Sequence, residues 1–87
     1  QDASTPRLEQ NQPNPFNQTT VIRFNSGDAR QAQIIIRDLN GNLIKSINAV
    51  GKTQATINAY ELAQGTYTYT LELDNRSVDT KLMVVTK

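Results

Sequence analysis

The sequence has 87 residues, nine Lys or Arg against eight Asp or Glu, and neither Cys nor His. A chain of that length makes one domain, which buries only roughly 60–65% of its unfolded surface. The missing thiols and imidazoles exclude disulfides, Cys nucleophiles, His bases and the usual zinc sites. A net charge of +1 spread along the chain gives no basic stripe, so nucleic acid is not an expected partner. No apolar run approaches the ~18 residues of a membrane helix, so stable membrane insertion is not expected either. No signal peptide is visible at the opening Gln1-Asp2, and the chain reads as a fragment or processed piece of a longer protein.

Residues 1–7 are polar, interrupted by Pro6, and read as a linker after a preceding protein; residues 8–87 read as the domain. Residues 8–12 suit a short edge strand. The two prolines around Asn14 then remove two backbone donors, so Pro13-Asn14-Pro15-Phe16-Asn17 is neither a central strand nor a helix. Phe16 is the large apolar residue there and is expected to plug one end of the core. Residues 19–24 form a β-branched strand with Ile22 and Phe24 on one face. Residues 32–38 form the next, with Ala32, Ile34 and Ile36 sharing a face, and residues 43–47 return.

The Asn40-Gly41 pair first suggests a two-residue turn, which would set Ile36 against Lys45. A three-residue loop of Leu39, Asn40 and Gly41 sets Ile36 opposite Ile44 and is preferred. It predicts Gly41 in the left-handed region and Asp38 capping the turn through its side chain. Residues 55–58 are a weak strand, followed by a loop over residues 59–64. From Gly65 the alternation is clear: Tyr67, Tyr69, Leu71 and Leu73 face one way, and Thr66, Thr68, Thr70 and Glu72 the other. A turn at residues 74–77 leads into the last strand, residues 78–86. The expected pairing sets Leu73 against Val78, Leu71 against Thr80, Tyr69 against Leu82, and Tyr67 against Val84. Seven short strands without helical periodicity predict an all-β, antiparallel, immunoglobulin-like sandwich.

Catalytic chemistry has few places to sit. Glu72 and Asp79 come out opposite each other, but on the solvated face of the hairpin, with Lys81 on the diagonal. Asp38-x-Asn40-x-Asn42 begins like a calcium loop, yet Gly41 stands at its fourth position and Ala49 at its twelfth, where the loop needs Gly at the sixth and Glu at the twelfth. A turn explains it better. No catalytic, cofactor-binding or metal site is expected, and no cofactor. One feature is left over. In the expected register Met83 and Val85 face outward on the last strand, beside Lys81 and Lys87. They are either covered by the N-terminal segment or form a docking surface.

Asn14-Pro15-Phe16-Asn17-x-x-Thr20, Ile22-Arg23-Phe24, Ile34-Ile35-Ile36-Arg37-Asp38-Leu39-Asn40-Gly41, Leu62-x-x-Gly65-Thr66-Tyr67-x-Tyr69 and Lys81-Leu82-Met83-Val84-Val85 follow one another in order. Together they resemble the type A C-terminal sorting domain of type IX secretion cargo in Bacteroidota, from about Leu8 to Lys87. Thr66 departs from the bulky apolar residue usual between Gly65 and Tyr67. The resemblance makes Asn14, Pro15, Phe16, Asp38, Gly41, Gly65 and Tyr67 motif residues with structural roles.

It also implies a non-enzymatic secretion signal that travels through the periplasm to the outer-membrane surface or the medium. Its implied partners are the outer-membrane translocon, shuttle components and a sortase-like cysteine peptidase. The peptidase would cut in or just before residues 1–7, often attaching the cargo to anionic lipopolysaccharide. A weak homodimer is the self-association left open. Lys81, Met83, Val85 and Lys87 are the expected recognition residues, read by strand addition along the last strand. The alternative is an adhesive or carbohydrate-binding accessory sandwich. It is disfavoured because Phe16, Phe24, Tyr67 and Tyr69 are assigned inward and only Tyr60 is left to stack on sugars.

Overall fold

The alternation that begins at Gly65 is the longest in the chain, and it forms the centre of the structure. In a computed structural model that describes residues 5–87, Tyr67, Tyr69, Leu71 and Leu73 all turn into the core, as expected. The described residues form seven strands: β1 (Arg7–Leu8), β2 (Thr19–Asn25), β3 (Ala32–Asp38), β4 (Leu43–Asn48), β5 (Gln54–Asn58), β6 (Gly65–Leu73) and β7 (Arg76–Val85). A single 3-10 turn, Ala59–Glu61, lies between β5 and β6. The first four residues of the expected linker lie outside the described residues, and β1 begins at Arg7, which pairs with Asn25.

Two antiparallel sheets face each other, one ordered β1-β2-β5 and the other β4-β3-β6-β7. That is the expected immunoglobulin-like sandwich. Ile22, Phe24 and Ile57 from the smaller sheet meet Ile34, Ile36, Tyr69 and Leu71 from the larger, and all are buried. Ile35 points to the other face of β3 and is nevertheless nearly covered there.

Beyond a bulge in each, both hairpins of the larger sheet run one residue out of their expected register. In β3–β4 the turn is as expected. Gly41 has φ of +88°, where a Cβ would be strained though nothing lies in its way. The Asp38 carboxylate accepts the amides of Asn40 and Asn42, each at 2.9 Å. Arg37 then pairs with Leu43 while Ile36 pairs with Lys45, leaving Ile44 as an extra bulged residue. Ile44 was expected opposite Ile36 in the core. It is 42% exposed instead.

In β6–β7 a two-residue turn of Asp74 and Asn75, both at positive φ, joins Leu73 to Arg76. Glu72 pairs with Ser77 but Leu71 pairs with Asp79, so Val78 is the extra residue. From there every side chain of β7 points to the face opposite the expected one. Tyr69 meets Lys81 and Tyr67 meets Met83, rather than Leu82 and Val84. Met83 and Val85 are in the core at 0% and 1% exposure, whereas Val78 and Leu82 lie outside. Asp79 pairs with Leu71 rather than facing Glu72, and its carboxylate sits 3.6 Å from the Lys81 ammonium.

Candidate functional site

The segment between β1 and β2 holds the most specific polar chemistry in the fold. Tyr69 projects from β6 into the core, and its hydroxyl must find partners there. It donates to the Glu9 carbonyl at 2.8 Å and accepts the Asn11 amide at 2.7 Å. Burial is the main cause that pushes the Tyr69 phenol up to about 12, with the nearby Asp79 carboxylate adding to it against the Asn11 bond. Asn11 and Thr20 are buried with it. The Asn11 amide group donates to Thr20 Oγ1 at 3.0 Å, and Thr20 Oγ1 donates to the Pro13 carbonyl at 2.8 Å. Residues 9–13 are thereby fixed across the gap between the two sheets.

From that anchor the chain reaches the free side of β7. Gln10 Nε2 donates to the Leu82 carbonyl, the Val84 amide donates to Asn14 Oδ1 at 2.9 Å, and the Phe16 amide donates to the Val84 carbonyl at 3.0 Å. The Thr86 amide then donates to the Phe16 carbonyl at 2.9 Å. Asn14 uses its side chain where a strand would use its backbone. The Val84 amide needs an acceptor there, and the Asn14 side-chain oxygen supplies it. Phe16 itself is buried, as expected of a core plug, and makes a parallel bridge with Val85.

The N-terminal segment thus closes the backbone edge of β7 rather than covering an outward Met83 and Val85. The expected reading surface on β7 changes with it. Met83 and Val85 do not face solvent, because the Val78 bulge turns them inward. Lys81 is half-buried beside Asp79, and of the four expected recognition residues Lys87 alone is exposed. The backbone groups of Leu82, Val84 and Thr86 that strand addition would use are occupied by residues 10–16.

Gly65 opens β6 opposite Val85, and the Tyr67 hydroxyl donates to the Ala63 carbonyl at 2.6 Å, tying the loop after the 3-10 turn to the sheet. Asp38 shapes its own turn, and the Asn42 amide above all holds its carboxyl below the ordinary carboxylate range. Thr20 stood in the motif that carried the family resemblance, but neither its burial nor any role for Asn11 was expected from sequence. The signal was available only indirectly, in a Tyr69 hydroxyl assigned inward with no partner named for it.

The pairings place the loops at two poles. At one lie the entry at Arg7, the loop after β2 and the Asp74-Asn75 turn, where Asp74 Oδ1 accepts the Arg30 and Gln31 amides. At the other lie residues 13–18, the β3–β4 turn, the 3-10 turn and the end of β7. Phe16, Phe24, Tyr67 and Tyr69 are buried, leaving Tyr60 at 80% exposure as a solitary ring. One exposed ring does not make a sugar-stacking platform.

The profile of the secretion system C-terminal sorting domain family matches residues 12–85. This chain belongs to that family. It is a C-terminal sorting signal of the type IX secretion system, built as an all-β sandwich. No curated protein matches it. Among solved structures the sorting domain is similar to CopC from Methylosinus trichosporium OB3b, at 22% identity over 93% of each chain, with a TM-score of 0.59. That likeness concerns the fold alone. The motif stretches that carried the family resemblance in the sequence all fall within or beside the matched region, and Asn14, Pro15 and Phe16 prove to be the cover of β7.

Proposed function

We propose that this sorting domain is recognised in its folded state by the outer-membrane translocon and its shuttle components, carrying the protein joined ahead of it to the cell surface. A sortase-like cysteine peptidase then cuts in or just before residues 1–7, and the cargo is attached to anionic lipopolysaccharide or released. The domain is the peptidase's substrate and performs no chemistry of its own. The family match over residues 12–85 carries this reading. The strap of residues 9–16 supports it, because closing the edge of β7 lets a folded domain cross the periplasm without pairing to other strands.

The experiment is a fusion of residues 1–87 behind a periplasmic reporter in a cell with an active type IX system. The reporter is expected at the surface or in the medium. A folded reporter retained in the periplasm of that cell overturns the reading.

A further inference from the structure

Exposed aliphatic and aromatic side chains are unevenly placed on this domain. Leu39 is 67% exposed, Leu43 62%, Ile44 42% and Tyr60 80%. The first three ride on the tip of the β3–β4 hairpin, and the fourth on the 3-10 turn. Those two tips are held side by side. Lys45, next to Ile44, bonds Glu61, next to Tyr60, at 2.6 Å. Leu82 stands apart from this patch, in the same row across the sheet as Leu43 but with Arg37 and Thr68 between them. Val50 and Val78 are the large exposed apolar residues near the entry pole, beside Asp74.

We infer that the secretion machinery grips the domain at the pole away from its entry, through a protein surface with apolar pockets for Leu39, Leu43, Ile44 and Tyr60. The inference rests on the sorting reading and assigns it a surface.

Three observations choose this occupant. First, the ionic groups beside the patch are already engaged within the fold. Lys45 is paired with Glu61, and Asp38 is occupied by its own turn amides. An anionic lipid or polysaccharide would need a cluster of free cations, and the described residues near the patch offer only the dispersed Arg37 and Lys87. An uncharged apolar patch with a polar rim of Asn40, Asn42 and Gln64 suits a protein partner.

Second, the chain enters at Arg7, so a protein joined ahead of it lies at the other pole and leaves this one accessible. Third, the patch consists of two projecting tips. A second copy brought to it by a two-fold axis would set knob against knob, whereas a partner with pockets receives both. Strand addition is not the mode. The β7 edge is covered by residues 10–16, and β4 carries the guards of a protected edge, the Ile44 bulge and the inward Lys45.

The test uses the reporter fusion in the type IX-competent cell, with Leu39→Ser/Tyr60→Ser compared with Val50→Ser/Val78→Ser. Protease resistance of each fusion reports folding, and Leu39→Gln/Tyr60→Gln is the second pair should the first be degraded. Export is expected to fall by about tenfold or more for the Leu39/Tyr60 pair and to be unchanged for the Val50/Val78 pair. A photo-crosslinking residue at 39 or 60 should capture an outer-membrane component of the machinery, and one at 50 or 78 should not. Normal export by the folded Leu39/Tyr60 variant overturns the inference. So does equal loss in both pairs, or crosslinking at 39 and 60 only to a second copy of the domain. Failure of the unsubstituted fusion to leave the periplasm is a different result, since it removes the sorting reading itself.

Discussion

The two hairpins of the larger sheet, β3–β4 and β6–β7, are built alike and end very differently. Each turns on residues suited to positive φ, Gly41 in one and Asp74-Asn75 in the other. Each then carries one extra residue, Ile44 or Val78, that reverses which side chains face inward. After its bulge β4 buries little, with Lys45 and Ile47 half-covered at an open edge. After its bulge β7 delivers Met83 and Val85 to the core, and its edge is closed by Asn14 and Phe16. The same local device thus guards one edge and seats the other. What separates them is whether another segment of chain lies across the strand.

The contrast is tested most strongly by making the inward side chains of each strand polar. Met83→Ser with Val85→Ser takes two fully buried apolar side chains out of β7, beside the amides that meet Asn14 and Phe16. The loss of two buried side chains predicts about 3–6 kcal/mol, enough to unfold a domain of this size. Ile47→Ser removes one half-buried side chain from β4 and should cost about 1 kcal/mol. Urea denaturation of both variants measures the difference. Equal costs would mean that the strap does not distinguish the edges.

Next in size is Phe16→Ala, expected to cost about 3–5 kcal/mol, because Phe16 fills the core and crosses β7 through its backbone. Amide exchange at Val84 and Thr86 should accelerate in that variant well beyond exchange in β4. Unchanged protection there would show that the strap does not depend on its plug.

Tyr69→Phe tests the anchor of the strap. It leaves the buried Asn11 amide without its acceptor and should cost about 1–3 kcal/mol at neutral pH. It should also change the alkaline limb. The folded phenol titrates near 12 against an ordinary value of 10.0, so above pH 10 the folded chain keeps a proton that the unfolded chain has released. Stability is therefore fully present below pH 10 and falls by roughly 2–3 kcal/mol as the pH rises through 12. In Tyr69→Phe that contribution to the decline should be absent. An identical pH profile in both proteins would show that Tyr69 does not set the alkaline limb.

The smallest effect belongs to the β3–β4 turn. Gly41→Val should lower stability by about 1–2 kcal/mol, because a β-branched residue at φ of +88° is strained even in open space, and Gly41→Asn should cost less. Melting curves of the two variants that coincide with the parent would show that the turn does not hold the hairpin.

What depends on short-range chemistry was legible in the chain. Two-residue alternation identified β6 and its inward face, β-branched content identified β2 and β3, and Asp38 and Gly41 identified their turn. The absence of His and Cys narrowed the chemistry before any fold was considered. The face of β7 could not be read locally. Leu82, Met83, Val84 and Val85 are all apolar, so both faces satisfy the core, and the inward positions of Asp79 and Lys81 argue for the wrong one. Only the tertiary structure decides, because at the rim of the sandwich those two charges pair with each other while Asn14 and Phe16 fix Val84 and Val85 in place. The role of Asn11 was hidden for the same reason. Its partners Tyr69 and Thr20 lie on two different strands, and a buried hydrogen bond between residues 58 apart leaves no periodic trace in the chain.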